Sequence, residues 1–277
     1  MHKRILVKAI LALGLAAGLA PLRAEPATSF KLGVSPHTSA RVILEMYQPL
    51  RLYLEKVLGQ PVEVQTAPDF TEFIRRALNQ EYDLAITTGH QARVLQTDAG
   101  YAPLVTYKAD FKAVALVAKD GPYKSVRDLK GAAMLGLSQS SLVTLWGQHW
   151  MKKNGLGDNP IRYVSAADST AQLVLAGEAA VAFHSMANYQ KLAPEVQNRL
   201  TILAESEPMA GRVYMLNRRQ APLADKIDGA IWAFAASPAG RDYLDKNKLD
   251  GYRKLKPREL EAMEPYAAEV RSVLRAK

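Results

Sequence analysis

The sequence predicts an α/β protein built from two units, each a mixed, mostly parallel sheet flanked by helices. Strand and helix patterns alternate over residues 30–107, and a second alternation follows from about residue 113. Gly and Pro punctuate many of the segment boundaries. With 277 residues, 48% of them hydrophobic, the chain is long enough for about two domains with buried cores.

The first unit opens with the strand pattern FKLGVS. A helix is predicted over residues 48–59, because apolar residues recur every three or four positions, Pro49 suits a first helical position and Gly59 a stop. Asp69 and Glu72 have capping-box spacing, which predicts the start of a second helix. The remaining predicted segments are strands at residues 61–66, 82–89 and 102–107 and a helix at residues 90–98.

The second unit is predicted to begin with a strand that ends at Ala118. A short helix capped at Ser125 and ended by Gly131 follows. From Arg212 onward, one strand leads into mainly helical sequence. Between these segments the patterns predict strands at 132–137, 161–164 and 179–183, and helices at about 140–154 and from about 168.

The N-terminus has the pattern of a secretory signal peptide. Lys3, Arg4 and Lys8 precede an uncharged run over residues 9–20, and Ala24 offers a cleavage position. The run is shorter than the ~20 residues that a membrane span needs. The chain has no cysteine, which excludes disulfides and a lipid-anchored cysteine. We therefore predict that residues 1–24 are removed and that the mature protein is periplasmic.

The charge of the mature chain is mildly positive. The formal charge is +9, but residues 1–24 hold four basic side chains and no acidic one, which leaves +5. The basic residues are scattered rather than clustered among aromatic residues, as a nucleic-acid surface would require. We therefore expect no nucleic acid partner, whereas a small anionic ligand would be favoured by the positive field.

Four predicted strands end in short polar loops without an acidic residue. The loops contain Ser35 and His37; Thr87, Thr88 and His90; Ser138, Ser140 and Ser141; and His184 and Ser185. In an open parallel sheet, ligands bind outside the carboxyl ends of the strands. Hydroxyl groups, imidazoles and the free N–H groups at a helix start are suited to an anion. The loops are therefore candidate anion-binding residues.

Simpler explanations of these residues remain open. Ser is a common N-cap, so the serines before the helix at about residue 140 could serve capping alone. Thr87 and Thr88 could be ordinary strand and turn residues, and each histidine a surface group. Three histidines could also form a zinc site, although no two lie within five residues of each other. Catalysis is not predicted: G-x-S-x-G, H-E-x-x-H, P-loop and G-x-G-x-x-G motifs are all absent.

The chain resembles the periplasmic substrate-binding proteins of ABC importers for phosphate, phosphite and phosphonates. The resemblance runs from FKLGVS to about Arg219. It is carried by YQPLRLYLEKVLGQPVEV, by APDFTEFIRRALNQEYDLAITTGH, by KSVRDLKG and by SSLVTLWGQHWMKKNGL, in that order. KSVRDLKG is common to many binding proteins, and the combination is the more specific signal.

The resemblance implies a two-lobed, type II periplasmic binding protein fold with a ligand cleft between the lobes. Lobe one would comprise residues 25–112 and 208–277, and lobe two residues 113–207. The family's Ser-Thr-Ser-Gly stretch places its central pair on Ser140 and Ser141, while Gln139 and Leu142 depart from it. Tyr47 falls near a ligand-contacting tyrosine of the family. Thr87, Thr88 and His90 lie in its contact loop from lobe one.

The implied function is capture of a small oxyanion by hinge closure, without catalysis or a cofactor, and delivery to a membrane permease. The segment HSMANYQKLA has no acidic residue, which favours a simpler oxyanion over an aminophosphonate. The alternatives are a protein of the same fold that presents its liganded state to a membrane sensor receptor, or one that binds a metal or another small solute. We expect a monomer.

Overall fold

A computed structural model describes residues 29–164 and 167–276, without the side chain of Asp168. The predicted signal peptide, residues 1–24, lies outside the described residues. The strands are β1 (Phe30–Val34), β2 (Val62–Gln65), β3 (Leu84–Thr88), β4 (Ala102–Tyr107), β5 (Ala113–Ala118), β6 (Met134–Gly136), β7 (Ile161–Tyr163), β8 (Val181–Ser185), β9 (Leu200–Glu205), β10 (Arg212–Leu216) and β11 (Tyr252–Arg253).

The helices lie mainly on the faces of these strands. They are α1 (Ala40–Leu58), α2 (Phe70–Leu78), α3 (Gly89–Asp98), α4 (Leu142–Lys153), α5 (Ala167–Leu175), α6 (Met186–Tyr189), α7 (Pro194–Gln197), α8 (Ala224–Ala236), α9 (Pro238–Lys246) and α10 (Glu264–Arg275). Short 3-10 helices cover Val126–Leu129, Arg218–Leu223 and Glu261–Met263. No helix of the described residues is both long and apolar enough to cross a membrane.

The strands form two separate mixed sheets. The first has the order β11-β4-β10-β3-β1-β2, and the second has the order β7-β6-β8-β5-β9. Strands β1, β2 and β3 pair in parallel, and β10 returns antiparallel between β3 and β4. In the second sheet β6, β7 and β8 are parallel, and β5 pairs antiparallel with β8 and β9. Apolar side chains pack on both faces of each sheet.

The chain passes between the sheets twice. It leaves the first sheet after β4 and returns to it with β10, and an isolated bridge between Phe111 and Met209 joins the two crossing segments. Consequently the first sheet contains strands from both ends of the described chain. The carboxyl ends of β1 and β3 lead into two of the predicted polar loops, and those of β6 and β8 lead into the other two.

The predicted helix around Pro49 is longer than expected. Helix α1 begins at Ala40, so Pro49 lies inside it rather than at its first position. A proline inside a helix costs about 3 kcal/mol through a lost hydrogen bond and a steric clash. Ile43 and Tyr47 extend the fully buried stripe of Leu50 and Leu54, and the burial of these side chains compensates for the proline.

Several other segments differ from the sequence prediction. The predicted helix after Ser125 is only a 3-10 turn, which Ser125 and Asp128 close as a capping box. Strands β9 and β11 and the short helices α6 and α7 were not predicted. The remaining strands and helices agree with the prediction within a few residues. At α2, Asp69 accepts a hydrogen bond from the Glu72 N–H at 2.9 Å, as its capping position predicts.

Candidate functional site

All four polar loops meet at one small cavity between the sheets. The cavity has a volume of about 30 Å³. His37 lines it from the loop after β1, Thr88 from the end of β3, and Ser141 from the loop after β6. His184 and Ser185 line it from the end of β8. The carboxyl ends of strands from both sheets therefore converge on the same place, as the sequence predicts.

A larger, open cleft of about 490 Å³ shares Phe70 and Leu137 with this cavity. Pro36 and Asp69 line the cleft from the side of the first sheet, and Gln139 and Tyr163 from the side of the second. Ser138 also lies in its wall. The cleft thus lies between the same two halves of the molecule and leads from the small cavity toward solvent.

Unsatisfied polar atoms are concentrated on the predicted loops. Among the described residues, five buried side-chain polar atoms have no hydrogen-bond partner: Ser35 Oγ, Tyr82 Oη, Thr88 Oγ1, His90 Nδ1 and Ser138 Oγ. All but Tyr82 belong to the loops that meet at the cavity. Thr88 lines the small cavity and Ser138 the larger cleft, whereas Ser35 and His90 lie in the same loops without lining either. Buried polar groups in proteins are nearly always paired, so four such atoms on three converging loops indicate a site for a polar ligand or for water.

Ser140 connects the two sheets rather than capping the helix. Its hydroxyl lies 2.9 Å from Thr71 Oγ1, at the start of α2. Its backbone oxygen lies 2.9 Å from His90 Nε2, on α3. Ser140, Thr71 and His90 are all buried. The side chain of Ser140 is therefore engaged with the opposite half of the molecule.

Ser141 and Ser185 do act as N-caps. Ser141 Oγ accepts a hydrogen bond from the Thr144 N–H at 3.4 Å and donates one to Thr144 Oγ1 at 2.7 Å. Ser185 Oγ accepts from the Asn188 N–H at 3.2 Å. Capping thus explains these two residues at least in part, although both also line the cavity.

His90 is neutral in this environment. Complete burial lowers its pKa to about 4, although the hydrogen bond to Ser140 acts in the opposite direction. Because the carbonyl oxygen of Ser140 can only accept, Nε2 of the neutral ring carries the proton and donates it. Nδ1 is then an acceptor, and it is one of the unsatisfied atoms.

His37 is also held neutral, but both of its ring nitrogens are engaged. Nδ1 donates to the backbone oxygen of Ser35 at 2.9 Å, and Nε2 accepts from Arg212 Nη1 at 2.8 Å. Burial, followed by the nearby charge of Arg212, holds the pKa of His37 well below its usual value. This ring therefore fixes the loop after β1 and connects it to the half-buried cation of Arg212.

Arg212 is the main residue that the sequence analysis missed. It begins β10, and its strand position is paired with Thr88. Its guanidinium donates to Tyr47 Oη at 3.2 Å and lies 5.1 Å from the centroid of the Tyr107 ring. Among the described residues no carboxylate forms an ion pair with it. The uncompensated cation beside His37 gives this side of the cavity a positive field.

Tyr47, a predicted ligand contact, belongs to a buried network of tyrosine hydroxyls. It lies 3.5 Å from Tyr107, whose hydroxyl lies 2.7 Å from that of Tyr214 and 2.6 Å from that of Tyr243. Burial raises the pKa of Tyr47, Tyr214 and Tyr243. The hydroxyls of these three residues therefore stay neutral, and that of Tyr47 accepts a hydrogen bond from Arg212.

The two remaining predicted residues have partners within the protein. Thr87 donates to Gln91 Oε1 at 2.7 Å, and Gln91 Nε2 donates to the Phe70 backbone oxygen at 2.9 Å. The ring nitrogens of His184 lie 3.0 Å from the Ser185 oxygen and 3.1 Å from the Ala167 oxygen. Thr87 thus stabilises the end of β3 without lining the cavity, whereas His184 lines the cavity itself.

The histidines do not form a metal site. In the part of the chain that the structure describes, no group of three His, Cys, Asp or Glu side chains could hold a metal ion. The ring nitrogens of His37, His90 and His184 instead contact protein groups, apart from Nδ1 of His90.

A family model decides the wider identity of the chain. The family is described as the periplasmic substrate-binding protein of phosphonate ABC transporters, and its model matches residues 32–260. The chain belongs to this family. Members of the phosphonate-binding family are solute-binding components of importers rather than enzymes. No curated protein sequence matches the chain.

Solved structures of this family and of other binding proteins share the fold. PhnD1 from Prochlorococcus marinus, in complex with methylphosphonate, has a TM-score of 0.76 and 15% identity, with 89% of this chain and 99% of that chain covered. A phosphonate transporter binding protein from Pseudomonas aeruginosa also has a TM-score of 0.76 and 15% identity, with 90% and 94% covered. XAC2383 from Xanthomonas citri, bound to chloride, has a TM-score of 0.73 and 20% identity, with 88% and 99% covered. The chain therefore has the type II periplasmic binding protein fold.

Proposed function

We propose that this protein captures a small oxyanion, namely phosphate, phosphite or a phosphonate, in the cavity between its two sheets and delivers it to an ABC importer. The convergence of four polar loops on one cavity, with unsatisfied buried atoms on three of them, carries this proposal. The ligand-binding residues would be Ser35, Thr88, His90 and Ser138 through their unsatisfied atoms. Ser141, His184 and Ser185 would contribute from the cavity wall, and Ser140, His37, Tyr47 and Thr87 would hold the loops in place.

The charges around the cavity support an anion. None of the described residues that line it is acidic. Arg212 supplies a permanent positive charge behind His37. Partial burial, together with the charges of Arg212 and Lys248, lowers the pKa of Lys191 to about 8, which indicates that positive charge accumulates on this side of the molecule. A bound anion would relieve that repulsion.

Capture would proceed by closure of two lobes about the crossing segments. Lobe one would comprise residues 25–112 and 208–277, and lobe two residues 113–207. The bonds from Ser140 to Thr71 and His90, and from Asn188 to His37, join these proposed lobes. They would form on closure and break on opening. Each hydrogen bond to a charged ligand oxygen is worth roughly 1.5–3 kcal/mol, so a few are enough for micromolar binding after the cost of closure.

The size of the cavity favours a small ligand. Its volume of about 30 Å³ is about the room of one or two water molecules, and an oxyanion would need a slight separation of the lobes. An organic substituent would extend past Phe70 and Leu137 into the larger cleft. The complexes of PhnD1 with methylphosphonate and of XAC2383 with chloride show that proteins of this fold bind small anions. XAC2383 has also been solved with ATP.

Calorimetry on the protein without residues 1–24 tests the proposal. We expect phosphate, phosphite or methylphosphonate to bind with micromolar affinity or better. Replacing Thr88 by Val, or Ser35 and Ser138 by Ala, should each weaken binding at least tenfold, since each removes a donor to a charged oxygen. Thr201→Val, at an exposed position on β9, is the matched control. If none of these anions, nor sulfate, gives heat or raises the melting temperature, the proposal is wrong.

Export is the remaining part of the proposal. We propose that the protein reaches the periplasm through cleavage after Ala24, in agreement with the location of its family. The sequence of the N-terminus of the exported protein tests this, and a mature chain that does not begin near Glu25 would contradict it. Delivery to a permease predicts that the genes of an ABC permease and ATPase adjoin this one. That the protein is a monomer stays a prediction.

A further inference from the structure

His90 lies where the two halves of the molecule meet. It follows Thr88 and Gly89 at the start of α3, and its Nε2 reaches the backbone oxygen of Ser140 in the opposite half. Thr88, two residues before it, and Ser141, which follows its partner Ser140, both line the small cavity, so His90 lies next to the cavity wall. The ring is completely buried.

The bond to Ser140 assigns the chemical character of the second ring nitrogen. A carbonyl oxygen requires a donor, so Nε2 carries the proton of the neutral ring. Nδ1 is consequently a pure acceptor, and no donor among the described residues satisfies it. The unsatisfied hydroxyls of Ser35, Thr88 and Ser138 differ from it, because each can donate to a ligand oxygen.

A fully deprotonated oxyanion would be a poor partner for this arrangement. Its oxygen atoms only accept hydrogen bonds. A ligand oxygen that faces Nδ1 would therefore bring its lone pairs against the lone pair of the ring nitrogen. An oxyanion that keeps one proton has an O–H group, and that group can donate to Nδ1 while the other oxygens accept from the hydroxyls. A site built around a buried acceptor discriminates strongly against ligands that lack the matching donor.

We propose that His90 Nδ1 accepts a hydrogen bond from a protonated oxygen of the ligand, so that the site selects oxyanions that keep a proton, namely either ionic form of phosphate near neutral pH and the monoanion of a phosphonate, over the phosphonate dianion and over sulfate. This inference rests on the proposed function. It identifies the ligand class as an oxyanion with an ionisable proton, and it makes His90 a specificity-determining residue.

Other ionisable groups near α3 are committed to protein contacts. Burial and the Ser140 carbonyl are the only causes that shift the pKa of His90, so no charged side chain acts on it appreciably. Several charged or titratable groups on α3, on the elements packed against it and around the cavity have partners in the protein. They are Arg93, paired with Glu264; Arg271, paired with Glu264 and Asp98; Glu269, paired with His149; Asp69, which caps α2; Glu72, paired with Arg75 and Arg76; Arg212 and His37, which bond each other; and His184, which contacts backbone oxygens. Lys191, whose pKa is about 8, is the group that could take up a proton near neutral pH when an anion binds nearby.

The test compares anions with and without a proton in the intact mature protein. Calorimetry would measure the affinities of phosphate, methylphosphonate and sulfate over a pH range that spans the second ionisation of the first two. We expect the association constant of methylphosphonate to fall about tenfold per pH unit above its second ionisation, since only the monoanion carries a proton. That of phosphate should not show this fall, because its dianion keeps one O–H group. Sulfate, which has no proton to donate, should bind at least about a hundredfold more weakly than phosphate.

The position of the proton can be observed directly. Above the second ionisation of methylphosphonate, the ³¹P shift of the bound ligand should stay at the value of the monoanion. Calorimetry in two buffers of different ionisation enthalpy should show uptake of about one proton per ligand. Repeating that measurement with Lys191→Gln distinguishes the ligand from Lys191 as the group that takes up the proton, because the uptake should persist.

Two variants complete the test. His90→Gln offers an amide that can donate as well as accept, so the preference for phosphate over sulfate should shrink at least tenfold. His149→Gln, at a half-buried position of α4 where the ring pairs with Glu269 away from the cavity, should keep both the preference and the pH dependence of the wild type. A methylphosphonate affinity that is constant or rises through its second ionisation, or sulfate binding equal to phosphate, would overturn this inference while leaving the proposed function intact. If no oxyanion binds at any pH, the proposed function itself fails.

Discussion

The side-chain amide of Asn188 donates a hydrogen bond to the backbone oxygen of His37 at 2.9 Å. Asn188 lies on α6, directly after β8 of the second sheet, and His37 follows β1 of the first. Both residues line the small cavity. This bond therefore joins the two halves of the molecule beside the proposed ligand, and it would contribute to the proposed closed form.

Replacing Asn188 by Ala should weaken ligand binding about fivefold, because a neutral hydrogen bond is worth about 1 kcal/mol and this one would form only on closure. Calorimetry with phosphate or methylphosphonate measures the change. Asn198→Ala, at an exposed position after α7, is the control and should bind as the wild type does. An Asn188→Ala protein with unchanged affinity would show that the bond makes no contribution to closure.

The hydroxyls of Thr71 and Ser140 should be energetically coupled. They are 2.9 Å apart and buried, so Thr71→Val or Ser140→Ala alone leaves one hydroxyl without its partner, at a cost of about 1–3 kcal/mol. The double substitution should cost about 1 kcal/mol less than the sum of the single ones. Urea denaturation of the four proteins gives the coupling. Additive effects would mean that the two hydroxyls do not depend on each other.

Much of the site could be predicted because strand ends are local features. The loops after β1, β3, β6 and β8 follow clear strand patterns, and the rule that ligands bind at carboxyl ends places them together. The strand patterns could not show which serine of the loop after β6 caps the helix and which one bonds to the opposite half of the molecule. Ser140 and Ser141 are neighbours, and only the packing of α2 and α3 against their loop shows that Ser141 caps the helix while Ser140 reaches across.

Arg212 could not be predicted, because its position depends on a long-range pairing. Strand β10 returns about 100 residues after β4 and inserts between β3 and β4, which brings Arg212 beside Thr88. Nothing in the periodicity of a single segment encodes that insertion. The long α1 was missed for a related reason, since the burial of Ile43 and Tyr47 outweighs the local signal of Pro49.

Arg212 should be needed for anion affinity. Arg212→Gln removes the uncompensated charge and leaves His37 Nε2 without its donor, so binding of phosphate should weaken at least tenfold. Arg212→Lys keeps the charge but loses the planar contact with Tyr107, and it should retain more affinity than Arg212→Gln. Circular dichroism would confirm that both variants fold. Exposed Arg127→Gln is the control, and equal affinity of Arg212→Gln and wild type would contradict the expected role of the charge.

Acid should destabilise the protein in the range where histidine titrates. The pKa of His90 is about 4 when folded, against 6.5 for an unperturbed histidine, so below pH 6.5 the unfolded chain binds a proton that the folded chain does not. Stability therefore falls as pH decreases from about 6.5 to 4, by about 3 kcal/mol from His90 alone. His37, whose pKa is also lowered, acts in the same direction.

Urea denaturation at pH 7 and at pH 4.5 measures this dependence. The wild type should lose more stability between the two values than His90→Gln, which has no titrating ring. His149→Gln should lose as much as the wild type. Equal acid sensitivity of His90→Gln and wild type would mean that the buried ring does not resist protonation.

Gly89 should set the distance between α3 and β10, and with it the positions of Thr88 and His90. Its N–H donates to the backbone oxygen of Ala210 at 3.3 Å, and a Cβ on Gly89 would lie 2.8 Å from that oxygen and overlap the Ala210 side chain. Gly89→Ala would therefore push the start of α3 away from the strand. We expect it to lower stability by about 1–3 kcal/mol through overpacking and to weaken oxyanion binding at least tenfold.

Gly229→Ala, inside α8 with open space around the new methyl group, is the control. It should leave binding unchanged and stabilise the protein by up to about 1 kcal/mol. Thermal denaturation and calorimetry on both variants separate the two effects, since a Gly89→Ala protein that is less stable but binds normally would show that the backbone contact supports the fold without positioning the site.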